Sequence, residues 1–443
     1  MKVLNLRAGR DHSPIKWLAI TLTVALLATP AYAAGTISNA LSAREAGRGG
    51  TNLGFGDNGV LLHDNAAGMQ GLFGDCGCSD CRCSDSYIDI GGAGLFTDLS
   101  YSDDDNPTTD AADNPTGLGY FMMARRWNED IVLGFGAFAP AGFASDYDLQ
   151  GPATLPGTHT YKSFGALVRI LPGISVRMTD RWTVGATLGT AVSHVEIEGP
   201  YYLNSGPLRG TPTMLDIQAT GAALSWSCGT QYAVSDRTTI GVHYQSENEF
   251  KSDGKAAVDI TPLGRSYYDV EFGLTWARSV GVGIMHQVDS CQRIGLDFEW
   301  EDWSSAYDNA NLVFTNPTNP VFRTVAGPKI DEVFPLRWKD ALIVSTGYER
   351  DLDDHRTVRL GYRYQDNPIP AATTSTYLQT TLQHHFSAGY GFKHSGWEID
   401  TAYQFAFAPD VHTGTSAYPG DDFSNATVST QTHMVFVSAM RRF

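Results

Sequence analysis

The sequence predicts an all-β membrane protein, a transmembrane antiparallel β-barrel of about fourteen strands whose N-terminal segment plugs the lumen. Three observations carry this prediction: short runs of alternating apolar and polar residues, connections that alternate between short and long, and an export leader followed by no second long apolar run. The composition agrees, because the 443 residues are 18% charged and 11% aromatic and include 46 Gly. Soluble domains are usually about 25% charged.

Residues 1–33 are predicted to be a signal peptide that is cleaved near Ala33. Arg7, Arg10 and Lys16 precede an apolar run at residues 17–28, and residues 31–33 have the small-x-small pattern of a cleavage site. The run is shorter than the roughly 20 residues of a spanning helix. An uncleaved anchor is the alternative interpretation. The exported chain is expected in the outer membrane of a Gram-negative-type bacterium, surrounded by outer-membrane lipid and lipopolysaccharide.

The mature chain is strongly acidic. Without the leader it keeps 27 basic and 47 acidic residues, a formal charge of −20. A nucleic-acid partner is therefore not expected, since phosphate recognition requires a basic surface.

Fourteen runs have the period of a strand with one apolar and one polar face. In the run at residues 293–301, Ile294, Leu296 and Phe298 share one face while Asp297 and Glu299 share the other. The predicted strands start near residues 86, 118, 131, 161, 182, 216, 239, 267, 293, 339, 356, 385, 397 and 430.

The connections separate a barrel from a soluble sandwich. Tight turns are predicted at residues 128–130, 179–181, 235–237, 351–355 and 395–396, and long segments at 102–117, 198–215, 305–338, 367–384 and 409–429. Short turns on one side and long loops on the other are typical of outer-membrane barrels. The last strand ends at Phe443, which resembles the C-terminal signal for the barrel-assembly machinery, so that machinery is an expected partner.

Four regions follow from these patterns: the signal peptide (1–33), an N-terminal plug or hatch (34–74), a Cys-rich linker (75–85) and the barrel (86–443). The plug segment is rich in Gly, Ala and Asn and too weakly hydrophobic to form its own core. We expect it to fold inside the lumen, because larger barrels enclose a channel or are plugged.

Several segments, taken together in their order along the chain, resemble those of the FadL/TodX family of outer-membrane transporters for long-chain fatty acids and aromatic hydrocarbons. The segments are RWKDA and STGY (337–341, 345–348), VRLGYRY with NPIP (358–364, 367–370), WEDWSS (300–305), and two hatch motifs, GRGG (47–50) and NAAGM (65–69). The resemblance implies a hatch that includes Gly47, Arg48, Gly49, Asn65, Ala66, Ala67 and Gly68. It also implies an apolar capture groove among extracellular loops, and a lateral exit where the third strand is kinked.

Pro140 and Gly142 are the candidate kink, because proline cannot donate a ladder hydrogen bond. The alternative is that Pro140 only ends its strand at a loop. The hatch departs from the family's Asn-Pro-Ala motif, since Ala66 stands at the proline position. Asn65 could still hydrogen-bond backbone that the kink frees, or it could be an ordinary turn residue.

The candidate groove residues are exposed apolar and aromatic side chains near the long loops: Phe143, Tyr147, Tyr201, Tyr202, Leu203, Leu208 and Met214. Aromatic residues near strand ends can equally belong to the membrane-interface girdle. Arg359 and Arg363, on the predicted lumen face, could bind a cargo carboxylate or pair with lumen acids such as Asp297, Glu299 and Glu301.

Cys76, Cys78, Cys81 and Cys83 form a CxCxxCxC cluster in the linker. Export favours two local disulfides there, with a metal site or free thiols as alternatives. The sequence gives no basis for pairing Cys228 with Cys291. No cofactor or resident metal is expected.

Three functions are compatible with a barrel: a hatch-gated passive transporter for hydrophobic molecules, a water-filled porin, and a barrel hydrolase acting on lipids. The plug segment favours the transporter, because a plugged barrel should conduct ions poorly. The chain has no Gly-x-Ser-x-Gly elbow and no HExxH motif. We therefore expect the protein not to be an enzyme.

Overall fold

The computed structural model describes residues 40–73, 84–112, 115–379 and 382–443. The predicted signal peptide, the first hatch residues (34–39) and the four clustered cysteines lie outside the described residues.

Twenty strands lie in the described part of the chain. They are β1 (Ser86–Ser102), β2 (Thr109–Asp110), β3 (Thr116–Arg126), β4 (Ile131–Gln150), β5 (Thr158–Thr179), β6 (Trp182–Tyr202), β7 (Pro212–Ser235), β8 (Thr238–Gln245), β9 (Asn248–Ile260), β10 (Gly264–Trp276), β11 (Ser279–Gln287), β12 (Gln292–Glu301), β13 (Asn309–Thr315), β14 (Lys329–Pro335), β15 (Ala341–Asp351), β16 (Arg356–Gln365), β17 (His384–His394), β18 (Trp397–Phe407), β19 (Val411–His412) and β20 (Thr427–Arg442).

The helices are short. They are α1 (Ala43–Gly47), α2 (Leu61–Asp64), α3 (Trp303–Ala306), α4 (Pro320–Ala326) and the 3-10 segments Ala66–Phe73, Ala371–Thr373 and Pro419–Asp421. None of these helices is long and apolar enough to cross a membrane.

Fourteen strands close into an antiparallel barrel, which confirms the predicted fold. The ring runs β1, β3 to β8, β11, β12, β15 to β18 and β20, and each of these strands is paired on both sides. The last strand returns to the first along its whole length, from Tyr87 opposite Arg442 to Ser102 opposite Thr427. The ring has no free edge.

The alternation along each strand is inverted relative to a soluble protein. On β12, Phe298 is 42% exposed and Leu296 37%, whereas Asp297 on the other face is 1% exposed. The apolar face therefore points outward to lipid and the polar face points into the lumen, as only a membrane barrel requires.

The connections are sorted as predicted. Residues 127–130, 180–181, 236–237, 288–291, 352–355 and 395–396 form the short turns at one end of the barrel. The longer connections lie at the opposite end, called the long-loop end below. The segment predicted as a loop at 198–215 is mostly a strand hairpin, because β6 and β7 pair as far as Tyr202 and Pro212.

The strand predicted near residue 267 exists, but it is not a barrel strand. It is β10, which pairs with β9 and β13, and β11 takes the eighth place in the barrel. With β14, these strands extend the sheet from the long-loop end of β7. A projecting hairpin with one buried face has the same period-two pattern as a barrel strand, so the pattern alone does not distinguish them.

Residues 40–73 occupy the lumen as a hatch. A capping box starts α1: the Ser42 hydroxyl accepts from the backbone N–H of Glu45 (3.1 Å), and the Glu45 carboxylate accepts from the N–H of Ser42 (3.4 Å). This helix contacts β16, β17 and β18, while the 3-10 segment Ala66–Phe73 contacts β5, β6 and β7 on another part of the wall. The hatch thus crosses the lumen.

Gly361 on β16 gives the hatch room to touch the wall. A Cβ placed at residue 361 would overlap the backbone nitrogen of Gly49, which itself has a left-handed φ of +66°. On β3, by contrast, a Cβ at Gly119 would meet only the carbonyl oxygen of Gly91, at 3.7 Å.

Gly361→Ala is therefore expected to displace the hatch, whereas Gly119→Ala should not. The overlap should cost about 1 to 3 kcal/mol of hatch docking. We expect faster proteolysis of residues 40–73 and higher single-channel conductance in planar bilayers for the first variant only. Equal, high conductance in the wild type and both variants would contradict a plugged lumen and favour the porin hypothesis.

Candidate functional site

The ladder between the second and third barrel strands is interrupted at Pro140. β3 and β4 pair from Arg126 opposite Val132 to Tyr120 opposite Phe138, and no further. On the β3 side of β4, the described residues next form a backbone hydrogen bond at Asp146, whose carbonyl accepts from the Ala112 N–H (2.8 Å). We call the intervening stretch of the wall, residues 139–145 of β4, the wall gap.

The wall gap coincides with a β-bulge. The register between β4 and β5 shifts between Phe138 and Ala141, so that Ala139 and Pro140 lie in the bulge and Gly142 pairs with Ala166. The strand does not end at Pro140 but continues to Gln150. Because proline has no N–H to donate, this position suits an interrupted ladder.

Aromatic side chains close the inner side of the wall just before the bulge. Phe138 is fully buried, and its ring stacks on Tyr120 with centroids 6.3 Å apart and planes within 5°. From the hatch, the ring of His63 lies 5.5 Å from that of Phe138. The hatch therefore contacts the wall at Phe138, directly next to the wall gap.

A hydrophobic cavity lies at the long-loop end. The space within it, together with the open solvent at its mouth, amounts to about 730 Å³. Eighteen of the nineteen side chains or backbone segments that line it are uncharged, and Glu332 is the exception. The lining comes from β4, β6, β7, β10, β13 and β14 and from the connections after β12, β14 and β16.

Glu332 is committed to a turn. Its carboxylate accepts hydrogen bonds from the backbone N–H groups of Asn204 (2.7 Å) and Ser205 (3.1 Å) and from the hydroxyls of Ser205 (2.9 Å) and Tyr201 (3.2 Å). Four donors satisfy its oxygens, so this carboxylate stabilises the tip of the β6–β7 hairpin.

One hydrophobic cluster joins the cavity to the wall gap. Leu215 and Phe272 line the cavity, and they belong to the same buried cluster as Leu167 and Ala141. Ala141 follows Pro140 directly, and Leu167 is its partner across the bulge. Apolar side chains thus continue from the external cavity to the break in the barrel wall.

Four of the seven candidate groove residues lie at the cavity. Phe143 and Tyr201 line the cavity, and Leu203 and Leu208 pack in the hydrophobic cluster next to it. Met214 lies on the opposite face of β7 from the cavity-lining Leu215 and does not line the cavity.

Tyr147 and Tyr202 lie apart from the cavity. The hydroxyl of Tyr147 donates to the Gln379 side chain (2.6 Å), within a cluster of loop tyrosines. The hydroxyl of Tyr202 hydrogen-bonds with that of Thr154. Both tyrosines hold long loops together.

Sequence reasoning missed most of the cavity lining. Phe272 and Leu274 of β10 and Leu312 and Phe314 of β13 contribute one side. Their alternation with polar residues was visible, but alternation alone assigned β10 to the barrel wall and left its partner β13 within a loop. The pairing partner, which period-two patterns do not specify, determines where these side chains lie.

Arg359 lies in an ion-pair network below the cavity. Its guanidinium donates to Glu349 (2.5 Å) and Asp400 (2.6 Å), and its side chain is only 2% exposed. Arg363 lies 3.9 Å from Glu299. Both arginines lie beside lumen acids. The acid beside Arg363, Glu299, is one of those named above, whereas the partners of Arg359, Glu349 and Asp400, are not.

The network includes the hatch. Arg44 contacts Glu398 (2.8 Å) and Asp400 (2.9 Å) on β18, and Arg48 pairs with Asp57 of the hatch (2.9 Å). Arg293 of β12 also contacts Asp57 (2.9 Å). Burial alone would raise the pKa of Asp57, but these three arginines hold it well below its usual range.

Backbone groups of the hatch are satisfied by the wall. Asp297 accepts from the N–H groups of Asn52 (2.7 Å) and Leu53 (3.0 Å). The hydroxyl of Ser175 donates to the Ala67 carbonyl (2.9 Å). These bonds replace the water that a free segment would use.

The side chain of Asn65 bonds to the hatch and to β7, and not to the backbone of the wall gap. Its amide donates to the carbonyls of Leu53 (3.1 Å) and Thr230 of β7 (3.2 Å), and its side-chain oxygen accepts from Ala67 N–H (3.3 Å). Ala66, Ala67 and Gly68 follow it in the 3-10 segment beside β5 to β7, whereas Gly47, Arg48 and Gly49 lie beside β16 and β17.

A cluster of tyrosines links the long loops. Asp422 accepts from the hydroxyl of Tyr161 (3.0 Å) through its carboxylate and from that of Tyr101 (3.4 Å) through its carbonyl. The pKa of Asp422 is raised to about 7; burial is the main cause, the Tyr161 hydrogen bond opposes it, and Asp103 and Asp105 add to it. The neighbouring Phe423 packs edge-on against both tyrosines.

Cys228 and Cys291 are both exposed and are not joined by a disulfide. The first lies on β7 and the second in a short turn.

The fold and the site together define a plugged outer-membrane barrel with an external hydrophobic cavity and an interrupted wall. The model of one family, outer membrane protein transport protein (OMPP1/FadL/TodX), matches residues 24–443. The chain belongs to this family, it is an outer-membrane β-barrel of a Gram-negative bacterium, and its general role is transport. The long-loop end is accordingly extracellular and the short-turn end periplasmic.

Solved structures with the same fold include transporters at low sequence identity. A Pseudomonas aeruginosa FadL homologue superposes with a TM-score of 0.73 at 16% identity, covering 93% of this chain and 100% of its own. The Pseudomonas putida toluene transporter TodX gives 0.73 at 16%, covering 94% and 100%. The Ralstonia pickettii toluene transporter TbuX gives 0.70 at 16%, covering 91% and 99%. No curated protein matches the sequence.

The packing of the last extracellular loop is expected to depend on pH through Asp422. An acid whose pKa rises from 3.8 to about 7 stabilises the packed loop while it is protonated; this contribution is complete below about pH 4 and is lost as pH rises through 7. Proteolysis of residues 408–426 should therefore be faster at pH 8.5 than at pH 6. The Asp422→Asn variant should be cleaved at the same rate at both pH values, when each rate is normalised to that of an unstructured substrate. A wild type with the same flat profile would contradict this assignment.

Proposed function

We propose that the protein takes up uncharged hydrophobic molecules passively across the outer membrane. Cargo enters the external cavity, moves along the hydrophobic cluster and leaves sideways through the wall gap into the bilayer. The hatch closes the axial route. The observation that carries this proposal is the single buried cluster that contains both the cavity-lining Leu215 and Ala141 at the bulge.

The lateral route suits the energetics of such a cargo. A hydrophobic molecule gains roughly 0.8 kcal/mol per CH₂ on returning from water to lipid. The axial route passes the ion pairs of Arg44, Arg48 and Arg359 with their acids, where an apolar molecule would have to displace charge pairs. Exit through the wall gap avoids that cost.

The cavity favours neutral cargo over a carboxylate. Its one charged lining residue is itself an acid, Glu332, and Arg359 is bound to Glu349 and Asp400 outside the cavity. An anion buried without a partner costs several kcal/mol. The toluene transporters among the structural neighbours carry a cargo of this class.

Uptake into proteoliposomes tests the proposal. A labelled alkylbenzene should enter faster than labelled oleate through the wild-type protein. Leu215→Arg places a cation in the cavity and should reduce alkylbenzene uptake at least tenfold, because a buried unpaired charge opposes an apolar ligand. Met214→Arg, on the other face of the same strand, is the matched control and should transport normally. Equal entry of both cargoes would exclude the preference for neutral molecules, and entry of neither would exclude transport.

Pro140→Val tests the wall gap. Valine can donate a backbone hydrogen bond and favours regular strand, so the bulge should partly close and alkylbenzene flux should fall several-fold without loss of cargo binding. Pro172→Val on β5 is the matched control, since this strand proline lies in regular register opposite Phe135. Wild-type flux in the Pro140 variant would argue against lateral exit.

A further inference from the structure

The hatch touches the wall at the last regular pair before the bulge. Phe138 of β4 lies opposite Arg169 of β5, and the register shifts immediately beyond them. His63 of α2 contacts both: its ring lies 5.5 Å from the Phe138 ring, and its Nε2 lies 3.0 Å from Arg169 Nη1. One hatch side chain therefore contacts both strands of the last regular pair before the bulge.

The partners of His63 determine its protonation state. A guanidinium can only donate hydrogen bonds, so Nε2 of His63 must accept from Arg169 and carry no proton. The proton is then on Nδ1, which donates to Asp64 Oδ1 (2.8 Å). Asp64 is held in turn by the amide of Asn52 (2.5 Å). Arg169 is fixed from its other side by Asn248 (3.1 Å and 3.2 Å).

Protonation would break this arrangement. A proton on Nε2 would face the Arg169 guanidinium at hydrogen-bond distance, with two donors and no acceptor between them. The charged and titratable groups next to His63 are Asp64 and Arg169. His243 on β8 and Glu301, which acts on Arg169, lie beyond them. Burial lowers the pKa of His63, Asp64 raises it, and Arg169 lowers it again.

The contact is separate from the other anchors of the hatch. The ion pairs of Arg44 and Arg48 hold the segment around α1 on the β16 to β18 side of the lumen. Asn65 holds the following turn to Thr230 of β7. Loss of the His63 contact would therefore release α2 from the wall gap without ejecting the hatch.

We propose that neutral His63 is a positioning residue that couples the hatch to the wall gap, holding Phe138 and Arg169 in the arrangement that keeps the lateral passage usable. This inference rests on the proposed lateral transport. Cargo does not need to touch His63; the residue acts through the last strand pair before the bulge. Its coupling is present when the imidazole is neutral and lost when it is protonated.

Two substitutions separate the charge of His63 from its size. Gln at residue 63 can still accept from Arg169 and does not titrate, whereas Lys places a permanent cation against the guanidinium. His412→Gln, which removes an exposed histidine in the last extracellular loop, is the control. Alkylbenzene affinity and maximal flux are measured in proteoliposomes from pH 7.5 to pH 4.5.

We expect wild-type flux to fall as pH drops below 6.5, with cargo affinity unchanged. His63→Gln should keep its flux across the range, and His63→Lys should be low throughout. The His412 variant should follow the wild type. An acid fall that persists in His63→Gln, or wild-type flux in His63→Lys, would overturn the proposal.

Hydrogen exchange measures the stability of the same contact independently of transport. The backbone N–H groups of His63 and Asp64 both donate to the Val60 carbonyl, and that of Asn65 donates to the Leu61 carbonyl. Loss of a charge-assisted hydrogen bond should speed their exchange roughly tenfold in His63→Lys, while residues 46–50 stay protected. If the wild type moves no cargo but this exchange difference is found, the transport proposal fails and the coupling stands. Equal exchange in both proteins would overturn the coupling itself.

Discussion

The closed hydrogen-bond ladder is the constraint on which the rest of the structure depends. In a bilayer every backbone N–H and C=O needs a partner within the protein, and a ring of paired strands is the only sheet that supplies them. Pairing of β20 with β1 removes the last free edge. The wall gap at Pro140 is a local exception, and proline reduces its cost because it leaves one fewer donor unpaired.

Closure also explains the hatch. A ring with apolar side chains outside has polar and charged side chains inside, and buried charges need partners. The hatch supplies them: Arg44 and Arg48 meet acids, and the N–H groups of Asn52 and Leu53 meet Asp297. The weak hydrophobicity of residues 40–73 follows from this role, because the segment packs against a polar wall and has no core of its own.

The sequence predicted the features that depend on local pattern. Alternation, turn residues, loop lengths and the weak hydrophobicity of the plug segment are local features, and they predicted about fourteen strands and a plugged barrel. The partner of a strand is not local, so β10 was placed in the wall and the cavity lining at Phe272 and Phe314 was missed. Likewise, the lumen face of Arg359 was readable from alternation, but its partners Glu349 and Asp400 lie on other strands. Pro140 could mark a bulge or a strand end, and only the pairing beyond it distinguishes the two.

The position of the break within the wall connects these features. Above it, the hydrophobic cluster reaches Ala141, and below it the lumen contains ion pairs and hatch backbone. An apolar molecule descending from the cavity therefore meets the gap before it meets the charges. Where these two environments meet, Phe138 closes the wall and the hatch touches it through His63. A molecule that entered the polar lumen would lose its hydrophobic contacts and disrupt paired charges. Under the proposed lateral transport, the position of the wall gap above these charges therefore favours exit through the wall over passage through the lumen.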